Sequence, residues 1–202
     1  MINLHNRISL SNASKKKIKA FLRKNHGNLN GNSWDLINKS IKNELSGKLL
    51  YNQKFKCVYC ERYLTGLYPQ IDHFAPKSRY PSFCFNPSNL FYVCGFCNSS
   101  IKGKKNTVAI INDRYDKTTF RIVNPYRNNP NEEIKFSDED RIDLDVPNCT
   151  YLGKKTIVFF EYHKTLMTNI RAKQLVYERL NPLLSEDERK LIHESIAYRK
   201  SK

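Results

Sequence analysis

No segment of the 202 residues approaches the roughly 18 consecutive apolar residues that a membrane span requires. Met1 to Lys19 lack both the apolar run and the small-residue cleavage site of a secretory signal, so a cytoplasmic protein is expected. Glycine and proline are sparse, at 7 and 8, and no repeat or low-complexity tract occurs, which argues against fibrous and disordered classes. Acidic residues are scarce in one half only. Residues 1–106 hold 18 Lys and Arg against 4 Asp and Glu, a balance of +14, whereas residues 107–202 hold 17 against 15. A basic half of this kind favours a polyanionic partner, because each phosphate neutralised by Lys or Arg releases condensed counterions. Charge alone also fits a solvated basic surface or contact with an anionic membrane.

What is present suits one globular domain with helical additions: 40% hydrophobic and 27% charged residues, enough to bury a core. Lys15–Lys24 reads as a helix, and after the break at Gly27–Gly31 a second is expected from a Ser33 cap through Trp34, Ile37, Ile41, Leu45 and Leu49. Gln70–Phe74 and Leu90–Cys94 read as short strands, with a helix starting after Cys97. Thr119–Tyr126 is strand-like, and Asn128–Asp145 is polar and turn-rich. Phe159, Tyr162, Leu166 and Ile170 predict one long helix over Lys155–Asn181, ended by Pro182. Ser185 with Glu188 makes a capping box for a last helix to about Tyr198.

Six cysteines are present, and four form two pairs, Cys57-Val-Tyr-Cys60 and Cys94-Gly-Phe-Cys97. Two residues between thiolates let both reach one tetrahedral zinc, so the four make a closed structural site. Cys84 and Cys149 read as small buried hydrophobes. The 33 residues between the pairs exceed a simple zinc ribbon, so something sizeable is looped out. That loop contains Asp72-His73-Phe74-Ala75-Pro76-Lys77-Ser78 and Asn89, and Cys97 is followed by Asn98 and, four residues on, Lys102.

An imidazole of pKa ~6.5 can take a proton from water near neutral pH, which suits His73 to general-base work. The hard oxygens of Asp72 and Asn98 suit Mg²⁺ or Mn²⁺ rather than zinc. Lys77, Lys102, Lys104 and Lys105 are candidates to grip phosphates. Neighbours on a regular strand face opposite ways, so Asp72 and His73 are expected to leave ideal strand geometry near Pro76 if both serve one site.

In this order, CxxC, DH-x-x-P-K-S, Asn and CxxCN with a following Lys resemble the HNH nuclease motif in its zinc-stabilised form, over about 50 residues. The resemblance implies an α+β fold with a zinc-stapled ββα-metal core between helical extensions. It implies an orienting role for Asn89, catalysis by Asp72, His73, Asn89 and Asn98, and phosphodiester hydrolysis of DNA, or of RNA such as tRNA. The implied division is a basic helical segment at 1–50, the nuclease core with the Cys₄ site at 51–106, and a strand, loop and helical region at 107–202 that serves as a partner interface.

The run Ile122-Val-Asn-Pro-Tyr126, Phe136 and Gly153-Lys-Lys-Thr-Ile157 is similar to the small HNH proteins of Septu-type and retron-associated antiphage systems. That likeness implies an ABC/SMC-like ATPase partner. The competing expectation is a non-catalytic zinc module that binds nucleic acid; Asp72-His73 with Asn98 distinguishes the two, since binding alone needs no carboxylate beside a base.

Overall fold

A computed structural model describes residues 1–25, 27–64, 67–180 and 185–196. Helix α1, Asn12–Lys24, begins where Ser11 Oγ accepts from the Ser14 amide and ends with Arg23 and Lys24 facing the negative end of its dipole. The second helix starts later than the Ser33 expectation. Ser33 Oγ accepts from the amide of Asn30, residues 31–36 form turns, and Asn38 caps α2, Lys39–Asn52, by accepting from Ser40. Ile41, Leu45 and Leu49, four residues apart, form the buried face of α2, and Trp34 and Ile37 are buried ahead of it.

Strands β1, Gln70–His73, and β2, Leu90–Val93, form an antiparallel pair with Asp72 opposite Phe91 and His73 opposite Leu90. Helix α2 packs on β2. Behind β2 the chain enters a π-helix, Phe96–Lys102, which closes where the Gly103 amide donates to Asn98, five residues back, with Gly103 at φ +49°. A second pair joins β3, Val108–Ile110, to β4, Thr119–Phe120. The expected strand over Thr119–Tyr126 therefore stops early; further on, Asn124 Oδ1 accepts from the Tyr126 amide and turns the chain. The polar stretch 128–145 holds one short helix, α3, Pro130–Glu133, and a bridge between Phe136 and Leu144.

The long helix expected over Lys155–Asn181 is two: α4, Tyr151–Phe159, and α5, Thr165–Leu180. Glu161 at φ +58° breaks the line and turns Tyr162 inward, where its hydroxyl donates to the Tyr59 carbonyl. Helix α6, Glu186–Ile196, starts on the expected capping box, with Ser185 Oγ accepting from the Glu188 amide and the Glu188 carboxylate accepting from Ser185. Pro182 and Tyr198 lie outside the described residues. The result is an α+β fold with small antiparallel sheets. Its main apolar cluster runs from Met1 to Ile170 and closes around β1, β2 and the four-cysteine site; a smaller one gathers Ala75, Phe83, Val108 and Tyr115.

Candidate functional site

The turn at Cys57–Cys60 and the junction from β2 into the π-helix bring four thiols together. The sulfurs of Cys57, Cys60, Cys94 and Cys97 all lie within 4.8 Å of one another, and all four residues are buried. Four convergent thiols with no carboxylate among them fit a tetrahedral zinc, and complete ligation leaves no position for a reacting water. The Arg62 guanidinium lies 3.6 Å from Cys94 Sγ, where it would offset part of the negative charge of four thiolates on a divalent ion. Cys84 and Cys149 are buried apart from this cluster.

Beside the cysteines, β1 keeps regular pairing through both Asp72 and His73, contrary to the expected departure from strand geometry. The two side chains therefore leave opposite faces of the strand. Asp72 turns inward: Oδ2 accepts from the Tyr59 hydroxyl at 2.5 Å, and Oδ1 accepts from Lys102 Nζ at 2.8 Å. The same ammonium donates to the His73 carbonyl at 2.8 Å. Lys102, expected on a phosphate-gripping surface, is 1% exposed. Its placement follows from the π-helix, whose wide turn brings residues four apart, Asn98 and Lys102, onto the face opposing Gln70 and Asp72 of β1.

His73 leaves the other face and is 5% exposed. Its ring meets Trp34 edge to face at 4.7 Å, and Nε2 lies 3.0 Å from the Cys84 carbonyl. A carbonyl only accepts, so Nε2 carries the hydrogen and Nδ1 keeps a free lone pair. Burial pushes the imidazole down to about 4, outweighing the upward pull of Asp72 and of the Cys84 carbonyl, so His73 is neutral at pH 7.

Asn89 is fully buried and satisfies the loop after β1. Its Oδ1 accepts from the Ala75 amide at 2.7 Å, and Nδ2 donates to the carbonyls of Ala75 and Phe83 at 3.1 and 3.2 Å. The contact is with the loop that carries the Cys84 carbonyl, and no bond joins Asn89 to the imidazole itself. Asn98 donates to Gln70 Oε1 at 2.6 Å, so Asn98 and Asp72 touch the same strand face two residues apart. Lys77 pairs with Asp35 at 3.0 Å, while Lys104 and Lys105 are exposed.

Four contributors were not singled out in the sequence: Tyr59, Gln70, the Cys84 carbonyl and Trp34 over His73. Tyr59 stands inside a CxxC turn and was the one with a positional signal. A backbone carbonyl or an aromatic neighbour far along the chain gives none.

No family model matches the chain. Among curated proteins it is similar to the Septu protein PtuB of Bacillus thuringiensis, 37% identical over 90 residues. That alignment covers 44% of this chain and 31% of the relative, so the likeness spans less than a third of PtuB's length.

Proposed function

We propose that the chain is a metal-dependent endonuclease of the HNH type that hydrolyses phosphodiester bonds of DNA or RNA, and that it acts as the effector of an antiphage defence system. The single observation that carries the reading is the orientation of His73, whose Nε2 is committed to the Cys84 carbonyl and whose Nδ1 is thereby left as the proton acceptor. In the proposed reaction His73 Nδ1 takes a proton from the attacking water. Asn89 holds the loop that presents the Cys84 carbonyl, and that carbonyl keeps the imidazole in the tautomer with Nδ1 free.

Asp72 and Asn98 are the proposed holders of Mg²⁺ or Mn²⁺, because their oxygens are hard donors; here both Asp72 oxygens are taken, by the Tyr59 hydroxyl and the Lys102 ammonium, on the face of β1 opposite His73, so an ion would bind Asp72 only in place of Lys102. When bound, such an ion polarises the phosphate and offsets charge that develops on it. The four cysteines would hold a structural zinc. Exposed Lys104 and Lys105 would contact phosphates, as would Lys77 once released from Asp35. Lys102 has a different part, holding Asp72 and the His73 carbonyl from within.

The antiphage role, and with it an ABC/SMC-like ATPase partner, rests on the likeness to PtuB and on the wider resemblance to Septu-type HNH proteins. The test is incubation of the purified chain, alone and with a candidate ABC/SMC-like ATPase partner, with duplex DNA, single-stranded DNA and total RNA, with and without Mn²⁺. Cleavage that needs the divalent ion supports the reading. Binding without cleavage under every condition would leave a nucleic-acid-binding zinc module instead.

A further inference from the structure

Helix α1 carries six cations, Lys15, Lys16, Lys17, Lys19, Arg23 and Lys24, in 13 residues that include no carboxylate, and all six are exposed. Lys16, Lys19 and Arg23, spaced by three and four, share one ridge on the side away from Ser14, Ile18 and Phe21, which pack toward the core. Among the described residues, none of these three cations is matched by a carboxylate or a hydrogen bond of its side chain. Like charges this close on one helix face repel, a cost to the fold that a bound polyanion relieves. The helix is also a fixed platform: the Glu44 carboxylate of α2 accepts from the Ser11 amide and from the hydroxyls of Ser11 and Ser14, and Lys17 donates to Ser40.

The underside of α1 leads to the candidate base. Phe21 meets Phe85 edge to face at 5.6 Å, Phe85 stacks on Trp34 at 6.2 Å, and Trp34 meets His73 at 4.7 Å. Lys42 Nζ lies 5.7 Å from the Trp34 ring, and Lys77 pairs with Asp35, the residue after Trp34, so cations continue from α1 to the neighbours of His73. We infer that α1 is a second phosphate-binding surface, which seats a nucleic-acid backbone across Lys16, Lys19 and Arg23 and so brings it beside His73. At ~1.5 Å per residue the helix is about 20 Å long, a length over which one strand of a duplex presents about six phosphates. A membrane surface fits less well, since a helix that inserts needs its apolar face free, and Ile18 and Phe21 are engaged with the core. The inference rests on the nuclease reading for the task of His73, but the binding is measured apart from cleavage.

The test is the triple variant Lys16→Gln, Lys19→Gln, Arg23→Gln in the full chain. Its control is Lys154→Gln, Lys155→Gln, Lys173→Gln, which removes the same charge from exposed positions of α4 and α5. Binding of a labelled duplex DNA of ~20 base pairs, of the matching RNA duplex and of phosphatidylserine vesicles is measured from about 50 to about 200 mM salt, without added divalent ion. Expected for the α1 variant are a melting temperature close to wild type, a plot of log affinity against log salt shallower by about 2–3, and nucleic-acid binding about 10²–10³-fold weaker at ~0.1 M salt. The control should keep the affinity and salt slope of the wild type. The duplex bound more tightly by the wild type tells DNA from RNA.

Wild-type binding by the α1 variant would overturn the inference, and so would an equal loss in the control, which would reduce the effect to net charge. Vesicles that capture the wild type while neither duplex does would overturn it in favour of a membrane surface. A wild type that binds none of the three would overturn it as well. A wild type that binds a duplex through α1 yet cuts nothing with Mn²⁺ would fault the nuclease reading and leave this surface standing.

Discussion

His73 carries a pH signature that can be read without any cleavage assay. Its folded value of about 4 lies below the ordinary 6.5, so the native state refuses a proton that the unfolded chain accepts. The stability this confers is complete above pH 6.5 and is lost as pH falls toward 4. Between pH 7.5 and 5 the loss amounts to about 2 kcal/mol. Denaturant unfolding of wild type against His73→Gln should show the gap between the two narrowing by that amount over this range, while protonation of the cysteine ligands cancels in the comparison. A gap independent of pH would mean that the imidazole is not buried as described. Asn89→Ala should cost about 2–4 kcal/mol, because it leaves the Ala75 amide and two carbonyls buried without their partner. Asp72, His73 and Asn98 were legible in the sequence because, in order with the cysteine pairs, they resemble the HNH motif, and Asn89 through that resemblance alone. The sequence could not place Lys102: lysine is almost never fully buried, and the carboxylate that justifies this one lies 30 residues away.

Elements were legible where one local rule dominated. Short apolar runs and turn residues placed β1 and β2 to within a residue, and the Ser185–Glu188 box placed the start of α6. The rule failed where tertiary contacts compete. Periodicity ran straight through Phe160–Lys164, yet Tyr162 gains more by turning to the Tyr59 carbonyl than by continuing a helix, and Leu166 is left 55% exposed. Likewise Ser33 was a sound cap in isolation, but its hydroxyl is taken by Asn30. The seat of α3 on α4 can be tested at one residue. A Cβ on Gly153 would stand 1.9 Å from the Glu133 carbonyl oxygen, whereas alanine in a free helix gains only ~1 kcal/mol over glycine. Gly153→Ala should therefore destabilise by about 3 kcal/mol and lower the melting temperature. A higher melting temperature would show that α3 does not rest there.

Across the whole molecule the four cysteines tie together the segment that carries every candidate catalytic residue, and the main apolar cluster draws on residues from both flanks. Cys94→Ser, or a strong chelator on the wild type, should release zinc and leave residues 57–97 open to protease. A zinc-free chain that stays compact would contradict the structural role. The basic first half and near-neutral second half were plain in the sequence, but charge names a class of partner and no atom that meets it. The central claim, that His73 is the base of a nuclease and no ligand of the zinc, is tested most directly by His73→Ala assayed beside wild type for zinc content and for Mn²⁺-dependent cleavage in the same preparation. Expected is full zinc with cleavage reduced by about 10²–10⁴; cleavage at the wild-type rate, or loss of zinc with unfolding, would contradict it.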